Sequence, residues 1–185
     1  MRLDALVVDP LIQLFATGFL GIVFARAIFE KAGGYAIYVA TLRDYRLTPA
    51  PLVPVVGALL FAAEVAALPL LLWPATRSVG ACLAASLLCL YALAMSLALA
   101  AGRTQIECGC GGDGQTVSYS LVARNIVLIA LALMLLAPPA TRATGIVDMI
   151  GAVCAMLIAW LALASAEKTI ENAAAVRRLR SESFL

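Results

Sequence analysis

The chain has 185 residues, 64% of them hydrophobic and 13% charged, with a formal net charge of +2. Soluble domains carry roughly 25% charged residues, so this composition excludes an ordinary soluble globule and describes a membrane protein. The small net charge argues against a nucleic-acid partner. The absence of histidine removes the usual general base and the imidazole metal ligand.

The first apolar run extends over about 11–29, introduced by Asp9-Pro10. It is too long for the apolar region of a secretory signal, carries Arg26, and has only Arg2 as a basic flank, so a retained first span is predicted. Residues 30–50 form a polar, aromatic connector. Tyr35, Tyr38, Val39, Leu42 and Tyr45 recur at offsets of three and four and make one apolar stripe, opposite Arg43, Asp44 and Arg46. That pattern predicts a short helix lying in the headgroup region, either as a plain connector or as a lid over a cavity between the spans. Thr48-Pro49-Ala50-Pro51 is expected to end it, because helical geometry is disfavoured before proline.

A second span is predicted over 53–72, closed by Trp73-Pro74, and a third over 79–101, uncharged and rich in small residues. The segment 102–117 follows, holding Arg103, Glu107, Cys108, Cys110, Asp113 and a cluster of glycines. Thr116 or Ser118 would cap the next helix. The fourth span covers about 118–137, with Arg124 and Asn125 in its first turns and Pro138-Pro139 behind it. The fifth covers about 145–165, and a polar helical tail fills 166–185. Runs of about 20 residues match a hydrocarbon core of about 30 Å. The expected fold is therefore all-α: one integral membrane bundle of about five spans, residues 1–185, with an interfacial helix between spans one and two. No internal repeat and no separate soluble domain is visible.

Ionisable groups inside a span face the bundle interior and find a partner there. Arg26, Glu64 and Arg124 are such groups. Alternating crossings place all three in the half of the bundle that holds the 30–50 connector and the cysteine segment. Pairing of Glu64 with an arginine, or a polar pocket below the cysteines, both fit that placement. Lys31, Arg43, Arg46, Arg103, Lys168, Arg177, Arg178 and Arg180 lie on the cysteine side, against Arg2, Arg77 and Arg142 on the other. The positive-inside rule would turn the cysteine side to the cytoplasm, whereas persistent disulfides belong outside.

Of the five cysteines, Cys82, Cys89 and Cys154 sit in apolar runs and are expected to pack as small hydrophobes. Cys108 and Cys110 share the polar stretch Glu107-Cys108-Gly109-Cys110-Gly111-Gly112. A disulfide between them would close a tight, strained and easily reduced ring, suited to thiol–disulfide exchange. Two thiolates alone do not make a zinc site, so no structural metal is expected; they would suffice for Cu(I), and a pair without a role is the remaining alternative.

Tyr45-Arg46-Leu47 with Pro49, Glu64 in the next span, Cys108-Gly109-Cys110-Gly111 and then Arg124-Asn125 resemble, in that order, the methylamine utilisation protein MauE family, grouped with DoxX-like membrane proteins. The resemblance runs from about Phe24 to Pro138. Many relatives have phenylalanine after the second cysteine, where this chain has Gly111. The resemblance implies maturation of periplasmic methylamine dehydrogenase, whose small subunit is rich in disulfides, beside a MauD-like thioredoxin-fold partner in the bacterial inner membrane.

The layout is also similar to vitamin K epoxide reductases, with a four-helix core plus one helix. That likeness implies a quinone as electron acceptor, with Cys108 and Cys110 catalytic and with Arg26, Tyr38, Tyr45, Glu64, Arg124 and Asn125 around the quinone. The chain departs from those enzymes in its Cys-x-Cys spacing and in lacking shuttle cysteines over 30–50, so a partner thiol would act on Cys108 or Cys110 directly. A non-enzymatic anchor for the thioredoxin-like partner is the alternative.

Overall fold

The computed structural model describes residues 7–103 and 117–182. Six α-helices follow one another, α1 (Pro10–Gly33), α2 (Tyr35–Asp44), α3 (Val53–Leu72), α4 (Arg77–Ala100), α5 (Tyr119–Met134) and α6 (Ile146–Glu182). A 3₁₀ turn, Ala50–Leu52, leads into α3. No strand occurs among the described residues. Four helical stretches are long and apolar enough to cross a membrane: Pro10–Gly33, Ala50–Leu72, Arg77–Ala100 and Ile146–Ala166. The fifth, α5, has 16 residues, about 24 Å at 1.5 Å per residue, less than a core of about 30 Å. It is lengthened by Leu135, Leu136 and Ala137, whose amides bond three residues back at 3.1–3.3 Å. That tightened turn carries the chain to Pro138-Pro139.

Helices α1, α3, α4 and α5 form the core of the bundle, and α6 packs on the outside of α1. The buried centre is built from Ala16, Leu20 and Phe24 of α1, Ala67 and Leu71 of α3, Ala81 to Leu88 of α4, and Leu128 and Ala132 of α5. Small residues allow the closest approach. At Gly80 a Cβ would run into the backbone of Leu70 and Leu71, so only glycine lets α4 start against the end of α3. The Thr76 hydroxyl ties the same corner by donating to the Leu70 carbonyl at 3.1 Å.

The end of the bundle where the chain begins is stapled shut. Asp9 accepts from the Leu11 amide at 2.8 Å and caps α1, with Pro10 at the first helical position. Val8 pairs with the segment after α5 through Val8 N to Pro138 O (3.1 Å) and Ala140 N to Val8 O (2.9 Å). Buried Gln13 donates to the Ala137 carbonyl at 2.7 Å and accepts from Arg77 at 3.3 Å. Arg142 bridges Asp9 and Asp148 at 3.5 and 2.6 Å. These contacts put the start of α1, the α3–α4 turn and the α5–α6 link on one side, as alternating crossings require.

On the other side α1 stops at Gly33-Gly34, and α2 turns across the bundle. Its buried residues are Tyr38, Val39 and Thr41, so the apolar stripe read from 30–50 does face the bundle. Gly57 of α3 makes the seat: a Cβ there would stand 3.1 Å from Leu42 and 3.5 Å from Tyr38. The prolines do not end α2. It stops at Asp44, and the chain reverses at Arg46, whose φ of 51° lies in the left-handed region. Pro49 and Pro51 instead begin the 3₁₀ turn into α3.

One further expectation is corrected. Cys82, Cys89 and Cys154 are free and exposed on the outer face, not packed inside. Cys82 and Cys89 are seven residues apart, so α4 presents them together on its outward side. The tail is helical, as expected, and continues the fifth span: α6 runs unbroken for 37 residues.

Candidate functional site

A cavity of about 140 Å³ lies beneath α2, between α3 and α4. That is roughly ten times what one water needs, room for a ring-sized group. Its roof comes from Tyr38, Thr41, Leu42 and Tyr45 and the turn Leu47-Thr48. Its walls are Val53, Val56 and Leu60 of α3 and Leu90 to Met95 of α4, and Lys31 reaches in from α1. The lining is mostly aliphatic and aromatic, with the Lys31 ammonium and a few hydroxyls as its polar groups. Leu47 and Leu90 are about half exposed, so the cavity opens through an apolar rim on the outer surface.

Beside this cavity, inside the spans, sits a buried ion pair. Lys31 Nζ contacts Glu64 Oε1, with side chains only 3% and 1% exposed. The Tyr91 hydroxyl donates to the same carboxylate oxygen at 2.6 Å. The Lys31 ammonium stands 5.1 Å from the ring centres of both Tyr38 and Tyr91, a two-sided cation–π arrangement. Glu64 Oε2 has no hydrogen-bond partner among the described residues. Desolvating two charges is expensive, and the pair is retained because each would be far worse alone.

Of the residues singled out from sequence, Tyr38, Tyr45 and Glu64 converge here. Tyr38 and Tyr45 roof the cavity, and Glu64 backs Lys31. Arg26 does not join them. It pairs with Glu30 at 2.8 Å and stacks over Trp160 of α6 at 5.3 Å, turned to the opposite side of α1. Asn125 is buried and donates to the Leu121 carbonyl one turn back at 2.9 Å, while Arg124 is half-buried; neither lines the cavity. The partner of Glu64 is a lysine, not an arginine. Cys108 and Cys110 lie outside the described residues.

The residues that flank the cysteine segment are described, and both meet Tyr45. Arg103 donates to the Tyr45 carbonyl at 2.8 Å. The Tyr45 ring packs with Met95, Ala98, Val117 and Leu121 in a small buried cluster. Arg103 and Val117 thus both stand against a residue that lines the cavity.

Lys31, Thr41, Tyr91 and Met95 were not singled out from sequence, although a signal existed for most of them. Gln13, Thr17, Leu20, Phe24 and Lys31 fall on one buried face of α1 at offsets of three, four and seven. Ala84, Leu88, Tyr91, Met95 and Ala98 do the same on α4. A lysine in register with a buried face is a candidate partner for a carboxylate in the neighbouring span. No group of metal ligands occurs among the described residues.

The fold and this site define a class: a polytopic helical membrane protein with a buried charge pair beside a cavity roofed by a short helix. The family model for methylamine utilisation protein MauE matches residues 9–138, and the chain belongs to that family. It is 35% identical over 144 residues to the methylamine utilization protein MauE of Paracoccus versutus, covering 76% of this chain and 77% of that one. The corresponding protein of Methylophilus methylotrophus is 34% identical over 131 residues, 71% and 68% of the two chains. That of Methylorubrum extorquens is 32% identical over 143 residues, 75% and 77%. No solved structure is significantly similar. The matched region takes in the four-helix core, α2 and both cysteines, and stops before α6.

Proposed function

We propose that the protein is a membrane thiol–disulfide oxidoreductase that assists maturation of methylamine dehydrogenase, taking electrons from a partner thiol at Cys108 and Cys110 and passing them to a quinone in the cavity beneath α2. The observation that carries this is Tyr45: it walls the cavity while its carbonyl and ring hold Arg103 and Val117, the two flanks of the cysteine segment. Thiols and acceptor would then share one end of the bundle.

A partner thiolate attacks one sulfur of the Cys108–Cys110 disulfide, whose S–S bond breaks as a mixed disulfide forms. The partner's second thiol displaces the bound sulfur, and the partner leaves oxidised. Cys108 and Cys110 are now both thiols; re-forming their disulfide releases two electrons and two protons. A bound quinone supplies the acceptor for both. The lining fits such a group: aliphatic walls suit the ring, and the Lys31 ammonium with the hydroxyls of Tyr38 and Thr41 offers donors for its oxygens. The apolar rim at Leu47 and Leu90 suits a ligand that arrives from lipid. Arg26, Arg124 and Asn125 take no part in holding it.

The partner is a thioredoxin-fold protein of the MauD type, and the final beneficiary is the disulfide-rich small subunit of methylamine dehydrogenase. The protein then sits in the inner membrane with the cysteine end toward the periplasm, where disulfides persist, against the distribution of lysine and arginine. Purified protein given a dithiol donor should reduce a soluble quinone, and Cys108→Ser with Cys110→Ser should abolish this. A wild type that reduces no quinone sinks the enzymatic reading. Maturation that survives in the double serine variant makes the protein an anchor for its partner instead. A membrane-impermeant maleimide should label both thiols in intact cells only after reduction.

A further inference from the structure

The cavity is electrically one-sided. Lys31 lines it, whereas Glu64 does not: the carboxylate stands behind the ammonium, buried between α1, α3 and α4. The ammonium carries three N–H donors. One is taken by Glu64 Oε1, and the rings of Tyr38 and Tyr91 flank the ammonium at 5.1 Å. A ligand in the cavity therefore meets the cation first and the anion only through it. Both rings that flank the ammonium also border the cavity, as Lys31 itself does. In a site of low dielectric, that asymmetry acts more strongly than it would in water.

We propose that Lys31 is the specificity-determining residue of this cavity, selecting ring compounds that present an ionised or electron-rich oxygen, with Glu64 and Tyr91 as the residues that hold the ammonium in place. This rests on the assignment of the cavity as the quinone site and adds which quinones it prefers. Neutral rings enter on the strength of the apolar walls and ordinary hydrogen bonds to their carbonyl oxygens. Rings bearing an anionic oxygen gain a charge-assisted contact as well. The same contact favours the reduced, more electron-rich form of a bound ring over its oxidised form.

Two naphthoquinones separate these terms: 2-hydroxy-1,4-naphthoquinone, which ionises, and its neutral 2-methyl counterpart. Binding of each to the purified full-length protein is measured by fluorescence quenching or calorimetry across a pH range that brackets ionisation of the hydroxyl. The anionic form should bind about tenfold tighter than the neutral analogue, the size of one hydrogen bond to a charged group. The preference should vanish as pH falls and the hydroxyl is protonated. Lys31→Met alone leaves a buried carboxylate unpaired, so the informative variant is Lys31→Met with Glu64→Gln, which keeps the acceptor for Tyr91 and removes both charges. It should still bind the neutral ring through the apolar walls and show no preference for the anion. Lys31→Arg should keep the sign of the preference. Equal binding of the two compounds by wild type, or a preference that survives in the double variant, overturns the assignment of Lys31 while leaving the cavity a quinone site. Failure of both compounds to bind overturns that site as well.

Discussion

The two ends of this bundle use polar side chains for different ends. Where the chain begins, Gln13, Arg77, Arg142 and Asp9 bind one another and the Ala137 carbonyl, and the Val8 bridge fastens the start of the chain to the link before α6. These groups stitch loops together. At the opposite end Lys31, Glu64 and Tyr91 bond across three helices beside open space, one carboxylate oxygen has no partner among the described residues, and the roof is a separate ten-residue helix. A buried ion pair contributes little to stability compared with apolar residues of the same size. Its presence next to a cavity is what the proposed ligand site rests on, whereas the contacts of the stapled end join loops.

The sharpest way to break that comparison is to split the ion pair. Glu64→Leu leaves the Lys31 ammonium buried beside its two tyrosine rings without a counter-charge, and should lower stability in detergent by about 3–5 kcal/mol. Lys31→Met with Glu64→Gln should regain most of that loss, because no isolated charge remains. If the single and double variants unfold alike, the pair is not a coupled unit and the contrast between the ends fails. Gly80→Ala tests the rigid end. Its Cβ meets the backbone of Leu70 and Leu71, which cannot rotate away, so a loss of about 1–3 kcal/mol is expected with naphthoquinone binding unchanged.

Much of this was legible in the sequence, for identifiable reasons. Long apolar runs mark spans because backbone amides must bond within the segment in lipid, and that rule located α1, α3, α4 and α6. The tyrosine stripe of 30–50 placed α2, and Glu64 stood out as a carboxylate in a span. Lys31 did not stand out, because it lies just past the apolar run and reads as a headgroup lysine; only its register with Gln13, Leu20 and Phe24 betrays it. Arg26 misled for the complementary reason. Depth along a helix is visible in sequence, but facing is set by which neighbour packs there, and α6 supplies Trp160 and draws the guanidinium away. The end of α2 was misread because proline is a loud signal, while the left-handed turn at Arg46 has none.

A smaller effect is expected at the staple itself. Gln13→Leu removes a donor to the Ala137 carbonyl and an acceptor from Arg77, and should lower stability by about 1 kcal/mol with no change in ligand affinity. Reduced affinity would mean that the two ends are coupled, and that the stapled end is not merely structural.

The smallest stability effect, and the finest test of the cavity end, belongs to Arg103. Its bond to the Tyr45 carbonyl at 2.8 Å is half-buried, so Arg103→Ala should change stability by less than about 1 kcal/mol. Its place in the molecule gives it a larger consequence. Arg103 and Val117 are the described residues that flank the cysteines in the chain, and the Arg103 bond is what fixes the first flank against Tyr45. Releasing Arg103 should therefore slow dithiol-driven quinone reduction while leaving naphthoquinone binding and its dependence on charge intact. Lys31→Met with Glu64→Gln should do the reverse to binding preference. Two variants on one wall that separate rate from selectivity would show that Tyr45 joins two sites, one for thiols and one for the ring. An Arg103→Ala variant with unaltered turnover would show that the cysteine segment finds its position without this anchor.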